Sequence, residues 1–95
     1  MTTYKYSLKA TGKFKKNYKM MMRRGYDMSH INSVIDILRR GEKLDEKYKD
    51  HILSGEFLGY HECHIKPDWL LVYAINDDVL ILTLIETGTH SDIFG

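Results

Sequence analysis

The second half of the chain concentrates side chains that can move protons near neutral pH. Four of the five histidines fall after residue 50, each within two positions of an acid. Imidazole is the only side chain whose unperturbed pKa makes both protonation states available near pH 7. Several imidazoles beside a carboxylate on the rim of one small sheet would therefore form a proton-transfer site. The four clusters are Lys49-Asp50-His51, His61-Glu62-Cys63-His64, Pro67-Asp68-Trp69 and Thr89-His90.

Charge is distributed very unevenly along the chain. Residues 1–25 hold eight Lys and Arg and no acid, whereas residues 26–95 hold six Lys and Arg against thirteen acids, so a formal net charge of +1 hides a strongly basic end. A basic end suits a polyanion such as RNA, although a solvated helix face or a protein-binding surface would look alike. The candidate RNA or ribosome contacts are Lys13, Lys15, Lys16, Lys19, Arg23 and Arg24.

Size and composition narrow the class of protein. A chain of 95 residues is expected to form one domain, residues 1–95, with a single modest core. The one cysteine, Cys63, excludes an internal disulfide, and a cysteine in the core would be inert as a nucleophile. The sequence lacks both an apolar signal region and a stretch of roughly 18 apolar residues. We therefore expect a cytoplasmic protein without a membrane-bound part.

Two helices and a short strand are predicted in the basic part and just after it. Loose alternation predicts a strand over residues 3–8. Thr11 is the expected N-cap of a first helix that ends at Gly25, and Asp27 or Ser29 caps a second helix that Gly41 ends. The apolar stripes are Phe14, Tyr18 and Met21 or Met22 in the first helix, and Ile31, Val34, Ile35 and Leu38 in the second.

Three strands are predicted in the second half, over residues 57–65, 70–76 and 79–87. Residues 42–55 form a polar loop that carries His51, Pro67 breaks the first strand from the second, and residues 76–78 form the last turn. The run from Val79 to Ile85 suits a strand buried within the sheet. The order β-α-α-β-β-β predicts an α+β fold, with a mainly antiparallel four-stranded sheet packed on a two-helix hairpin.

Strand alternation separates the two histidines of the second cluster. If residues 57–66 form a regular strand, His64 shares a face with Glu62 and Lys66, whereas His61 shares the other face with Cys63. His64 and Lys66 would then point together at a ligand. The pattern favours His64 over His61 as the functional imidazole.

Longer motifs give the chain a resemblance to a known family. The motifs resemble the YafQ branch of the RelE/ParE toxin superfamily, and the resemblance extends over essentially the whole chain. The block from His64 to Tyr73 and the Thr-Gly-Thr-His ending are specific to that branch. The matching runs are residues 48–51, residues 59–73 and residues 87–94.

The resemblance implies a RelE-like fold and a bacterial type II toxin. Such a toxin is a metal-independent endoribonuclease that cuts messenger RNA on the translating ribosome, where 16S ribosomal RNA is a neighbour, and a cognate antitoxin neutralises it in a hetero-oligomer. No cofactor and no metal are expected. Carried over by position, the catalytic candidates are His51, His64, Asp68 and His90, and the substrate-site candidates are Trp69 and Phe94. Two further substrate-site candidates are Lys66, which shares a strand face with His64, and Glu86, which stands at the family's arginine position.

Position 86 departs from the family pattern. An arginine usually stands directly before the Thr-Gly-Thr-His run, and Glu86 occupies that position here. A cation would offset the charge that builds on a phosphate in the transition state, whereas a carboxylate would repel it. The departure is compatible with a weakened toxin, with a change that lowers toxicity, and with recruitment of Lys66 or a ribosomal group.

The chemistry itself needs two proton transfers. The 2′-OH of RNA attacks the adjacent phosphorus, and each transfer, to a base and from an acid, is typically worth about 10²–10⁴-fold. Our hypothesis makes His90 the general acid, with His51, His64 or Asp68 as the base; Asp68 can instead orient an imidazole.

Two other classes of function stay open on the sequence. A gyrase-directed toxin on the same fold would not need the histidines, and an inactive RNA- or antitoxin-binding module would agree with Glu86. A metal site at His61, Cys63 and His64 is disfavoured because adjacent residues of a strand face opposite ways.

Overall fold

The computed structural model describes residues 3–55 and 59–95. Among these residues, no helix combines the length and the apolar content that crossing a membrane requires. The elements in chain order are β1 (Ser7–Ala10), α1 (Gly12–Arg23), α2 (Ser29–Arg39), a short 3₁₀ helix (Glu46–Tyr48), β2 (His51–Ile52), β3 (His61–Lys66), β4 (Trp69–Asn76), β5 (Ile81–Gly88) and α3 (His90–Phe94).

The strands form one mixed sheet of five strands in the order β1-β5-β4-β3-β2. The α+β class is confirmed, but the prediction of four strands is wrong by one. The extra strand, β2, lies in the segment predicted as loop, where His51 pairs with Glu62. The first strand also begins later than predicted, because its partner is β5, which runs parallel to it from Ser7 opposite Ile81.

Capping chemistry sets the helix boundaries largely as predicted. The Thr11 hydroxyl accepts a hydrogen bond from the Phe14 N–H at 3.0 Å, which confirms the first cap. Gly25 follows α1 with a φ of 87°, a left-handed conformation that glycine adopts without strain. The N-cap of α2 is Met28, neither of the two predicted residues, although the Asp27 carboxylate accepts the first N–H of that helix, from Ser29.

Two strand boundaries differ from the predictions. The second predicted strand was to begin at residue 57, but residues 56–58 lie outside the described residues, and the corresponding strand β3 starts at His61. Val79 and Leu80 belong to the turn before β5 instead of to the strand, and both are exposed. Leu80 has a φ of 56°, which a β-strand does not allow, so the turn extends two residues further than the Asn76-Asp77-Asp78 signal.

The sheet separates an apolar core from a polar row. Cys63, Leu71 and Tyr73 face the core with the apolar stripe of α2. The alternate positions carry a cross-strand row in which Glu62 pairs with Val72, and Val72 pairs with Glu86. All three residues of that row are buried, so the sheet carries two buried carboxylates on the face away from the core.

A β-bulge determines the face on which Glu86 lies. Tyr73 pairs with Leu84 whereas Val72 pairs with Glu86, so Ile85 is an extra residue in β5. Without it, alternation from the core residue Leu84 would turn the side chain of residue 86 toward the core. The bulge instead aligns Glu86 with Val72 and with the polar row.

Candidate active site

Three imidazoles lie side by side at one end of the polar row. The ring centroid of His64 is 6.4 Å from that of His51 and 6.1 Å from that of His90. The three residues come from β2, β3 and the start of α3, so the fold assembles the group from segments that are far apart in sequence. The predicted convergence of these histidines is present in the structure.

A buried carboxylate, Glu62, stands between two of these histidines. Its Oε1 lies 3.5 Å from Nε2 of His51 and 3.8 Å from Nε2 of His64. Its Oε2 is buried without a hydrogen-bond partner among the described residues. Each of these two contacts can become an ion pair when the imidazole accepts a proton, and such a pair offsets the cost of burying the carboxylate. Glu62 was not among the predicted site residues. Strand alternation had already placed it on the same face as His64, and that pattern could have identified it.

Backbone carbonyl groups select the tautomer of both histidines beside Glu62. Nδ1 of His51 lies 2.7 Å from the carbonyl oxygen of Lys49, and Nδ1 of His64 lies 3.2 Å from that of Pro67. A carbonyl oxygen only accepts, so the neutral ring carries its proton on Nδ1 and its lone pair on Nε2. In both rings the basic nitrogen therefore faces the carboxylate of Glu62.

A second set of contacts holds the segment that carries His51. The Tyr73 hydroxyl donates to Oδ1 of Asp50 at 2.5 Å, and the Tyr73 ring stacks on His61 with a centroid distance of 5.0 Å. Burial, together with the hydrogen bond to Asp50, raises the pKa of Tyr73, so the hydroxyl stays a donor. Lys49 takes a φ of 49°, and this left-handed residue turns the chain into β2. His61 therefore belongs to the support of the segment, apart from the three-histidine group.

Asp68 orients His90. One Asp68 carboxylate oxygen, Oδ1, accepts the backbone N–H of His90 at 3.0 Å and lies 3.3 Å from Nδ1 of the same residue. The two contacts fix both the first turn of α3 and the imidazole. Because Nδ1 makes the contact that holds the ring, Nε2 of His90 is not needed for that purpose. Of the two roles predicted for Asp68, this geometry favours orientation over that of base. Phe94 lies on the same short helix, with its ring centroid 5.9 Å from that of His90.

The helix that carries His90 is fastened to α1 through Asp92. Thr89 and Asp92 form a reciprocal capping box, and Arg24 donates to both Asp92 oxygens, at 2.7 and 3.1 Å. The hydrogen bond from Arg24, followed by the backbone N–H of Thr89, lowers the pKa of Asp92 to about 2. Arg24, predicted as an RNA contact, is thus occupied in positioning α3.

Two predicted substrate residues are buried in the structure. Trp69 is 1% exposed; it packs edge-on against Tyr26, and its indole N–H donates to the Thr87 hydroxyl at 3.0 Å. The indole has no exposed face on which an RNA base could stack, so the structure does not show the direct contact with substrate that was expected of Trp69. Glu86 is 4% exposed and forms an ion pair with Lys13 at 3.4 Å.

Basic residues line a cavity beside His64 and also lie exposed on α1. A cavity of about 540 Å³ adjoins the imidazole of His64, and three lysines are among the residues that line it. Lys66 is one of them, so His64 and Lys66 do face a common space, as predicted. The other two are Lys47 and Lys49. On α1, the side chains of Lys15, Lys16, Lys19 and Arg23 are exposed.

Comparison with known proteins places this arrangement in a class of bacterial toxins. A family model described as the bacterial toxin of type II toxin–antitoxin systems, YafQ, matches residues 6–95. The mRNA interferase toxin YafQ of Escherichia coli K12 is 35% identical over 86 residues, which span 90% of this chain and 91% of that protein.

Solved structures agree with the family match. The E. coli DinJ–YafQ toxin–antitoxin complex superposes with a TM-score of 0.88 at 33% identity, over 96% of this chain and 99% of that one. YafQ from E. coli BL21(DE3) gives a TM-score of 0.89 at 32% identity, over 95% and 99% of the two chains. The chain is a toxin of a type II toxin–antitoxin system. It belongs to the YafQ family.

Proposed function

We propose that this toxin is an endoribonuclease that cuts messenger RNA on the translating ribosome by metal-independent acid–base catalysis. The observation that carries the proposal is the group of three imidazoles around the buried carboxylate of Glu62. The family membership supports it, since the E. coli relative is named an mRNA interferase.

His64 is the proposed base and His90 the proposed acid. The 2′-OH loses its proton to Nε2 of His64 as its oxygen attacks phosphorus, and Glu62 stabilises the imidazolium that forms. The bond from phosphorus to the 5′ oxygen breaks, and Nε2 of His90 gives that oxygen a proton. The products are a 2′,3′-cyclic phosphate and a free 5′-OH. The ring centroids of His64 and His90 are 6.1 Å apart, so both imidazoles can reach one phosphodiester group that lies across them.

The remaining predicted residues take supporting roles in this proposal. His51 shares Glu62 with His64 and holds the carboxylate in place. Asp68 keeps His90 in its orientation, and Phe94 lies beside His90, where its ring can stack on a base. The RNA strand continues past His64 into the cavity that Lys66 lines. The exposed cations of α1 are proposed to contact ribosomal RNA, which makes binding salt-dependent.

We also infer that a cognate antitoxin binds this chain. The inference rests on the DinJ–YafQ complex, whose toxin chain is aligned over 99% of its length. The basic surface of α1 favours a partner segment with acidic residues, because such a segment would compete with RNA for the same cations. A segment of this kind would fold onto the toxin on binding.

A cell-free translation reaction with a reporter message tests the proposed function. Wild-type toxin should cut the message at fixed codon positions, and His90→Ala should lower the cleavage rate by about 10²–10⁴-fold because the acid is lost. Asp78→Ala is the control: this exposed residue lies in the turn between β4 and β5, outside the proposed RNA path, and its loss should leave the rate within twofold. Binding without cuts would contradict the proposal in favour of an inactive module. DNA damage without RNA cuts would contradict it in favour of a gyrase-directed toxin.

A further inference from the structure

The ion pair at the far end of the polar row places an exposed cation next to a buried acid. The Lys13 ammonium lies 3.4 Å from Oε2 of Glu86, and the two side chains are 64% and 5% exposed. An ammonium has three N–H donors, so one contact with a carboxylate leaves others available to a ligand. Lys13 thus reaches solvent while its charge is anchored to the sheet.

The position of Lys13 in α1 is unfavourable for the helix itself. It lies in the first turn, which contains no acid. The N-terminal end of a helix carries a partial positive charge, so a cation there costs stability in the absence of a partner. Glu86 offsets that cost. The sequence therefore maintains a cation at a place where helix stability alone argues against one.

Hydrogen bonds on both sides of Lys13 hold α1 against β5. The Thr11 N–H donates to the carbonyl oxygen of Leu84 at 3.0 Å, and the Thr11 hydroxyl donates to that of Ile85 at 2.6 Å. One turn beyond Lys13, the side-chain oxygen of Asn17 accepts the N–H of Thr87 at 3.3 Å. The backbone of Lys13 is therefore fixed relative to the strand that carries Glu86.

The same row connects this ion pair to the histidines. Glu62 and Glu86 both pair with Val72, from opposite sides. Neighbouring strands are about 4.8 Å apart, so the backbones of the two acids are separated by roughly 10 Å across the sheet. The bulge at Ile85 is what turns Glu86, and with it the Lys13 ammonium, toward the face of the row.

The charged groups that pair with the three histidines are carboxylates: Glu62 lies near His51 and His64, and Asp68 lies near His90. Glu86 adds a third carboxylate on the same row, and the phosphate gains negative charge in the transition state. Fixed cations beside a developing anion are a major source of rate enhancement, because they need no reorganisation as the reaction proceeds. Of the ion pairs described, the one between Lys13 and Glu86 is the only lysine–carboxylate pair.

We propose that Lys13, held in place by Glu86, is the cation that contacts the scissile phosphate and stabilises its transition-state charge. The inference rests on the proposed nuclease function and adds a residue to it. Lys13 is then a catalytic residue, and Glu86 is a positioning residue that acts through it. The carboxylate at position 86 thus serves to place a positive charge that the strand itself does not carry.

Single-turnover cleavage on programmed ribosomes, at saturating toxin, tests this proposal because it reports the chemical step separately from ribosome binding. Lys13→Ala should lower the rate constant about 10- to 100-fold, and Lys13→Arg should keep it within about threefold. The double variant Lys13→Ala/Glu86→Gln leaves no unpaired buried charge and should show the same loss as Lys13→Ala. The matched control is Lys9→Ala, an exposed lysine of β1 that should leave the rate unchanged.

An arginine at position 86 separates a role in catalysis from a role in folding. In a Glu86→Arg background the strand carries its own cation, so Lys13→Ala should then lower the rate by less than about threefold. A Lys13→Ala rate equal to that of Lys9→Ala would overturn the inference, as would an equal loss in both backgrounds. Cleavage by Glu86→Arg but not by the wild type would also overturn it. If no variant gives cuts that depend on His90, the proposed nuclease function fails instead, and this inference fails with it.

Discussion

Two buried glutamates at opposite ends of one cross-strand row have different partners. Glu62 lies between two imidazoles, whereas Glu86 lies beside an exposed ammonium. Both are almost fully buried and both face away from the core. In the proposed mechanism the partner determines the role of each carboxylate: Glu62, beside imidazoles, supports a proton transfer, and Glu86, beside a lysine, holds a permanent charge in place.

The largest expected effect comes from neutralising each glutamate in turn. Glu62→Gln should lower the single-turnover cleavage rate by about a hundredfold or more, since the imidazolium of His64 loses its counter-ion. Glu86→Gln should cost less than about tenfold, because Lys13 keeps its charge and loses only its anchor. The comparison is measured with the two variants side by side at one pH. Equal losses would show that the two carboxylates do not differ in role.

A smaller effect should follow from loosening the support of the His51 segment. Tyr73→Phe removes the donor to Asp50 and leaves a part-buried carboxylate unpaired, which should lower the free energy of unfolding by about 1–3 kcal/mol. Urea denaturation measures the change. Tyr18→Phe is the matched control: its hydroxyl donates to Asn32 at an exposed site, so its loss should cost less than about 1 kcal/mol. A Tyr73→Phe variant as stable as this control would contradict the role given to Asp50.

The smallest expected effect concerns the attachment of α3. The pKa of Asp92 is lowered from 3.8 to about 2, so its contribution to stability is complete above pH 3.8 and is lost as the pH falls through about 2. Asp92→Asn should lower the unfolding free energy near pH 5 by about 0.2–1 kcal/mol, the usual range for an exposed ion pair. The difference from wild type should shrink as the pH falls from 4 to 2, measured by thermal unfolding. A difference independent of pH would remove the ion pair with Arg24 as its cause.

The fold was predictable wherever a pattern repeats. The stripe from Ile31 to Leu38 and the apolar runs of β4 and β5 each bury a face, and burial of that face is what forms them. The two-residue strand β2 has no pattern of its own. It forms because His51 and Ile52 pair with the edge of β3. A pairing between separate segments cannot be predicted from the pattern within one segment.

The site was predictable as a set of residues and less so as a set of roles. The convergence of His51, His64 and His90 was expected from the motifs, because the clusters that carry them lie between or at the ends of predicted strands. The face of the sheet on which Glu86 lies could not be predicted in this way. One extra residue in β5 reverses the alternation of side chains on which such a prediction depends. The burial of Trp69 depends on a contact with another strand, because its indole N–H donates to the Thr87 hydroxyl of β5.

The central claim is that imidazoles exchange protons with RNA at this site, and the pH dependence of cleavage tests it most directly. The single-turnover rate constant should follow a bell-shaped curve between pH 5 and 9, because one imidazole must be neutral and another protonated at the same time. His90→Ala should remove the limb at high pH, where the acid loses its proton. A flat profile from pH 5 to 8 for the wild-type toxin would contradict the account.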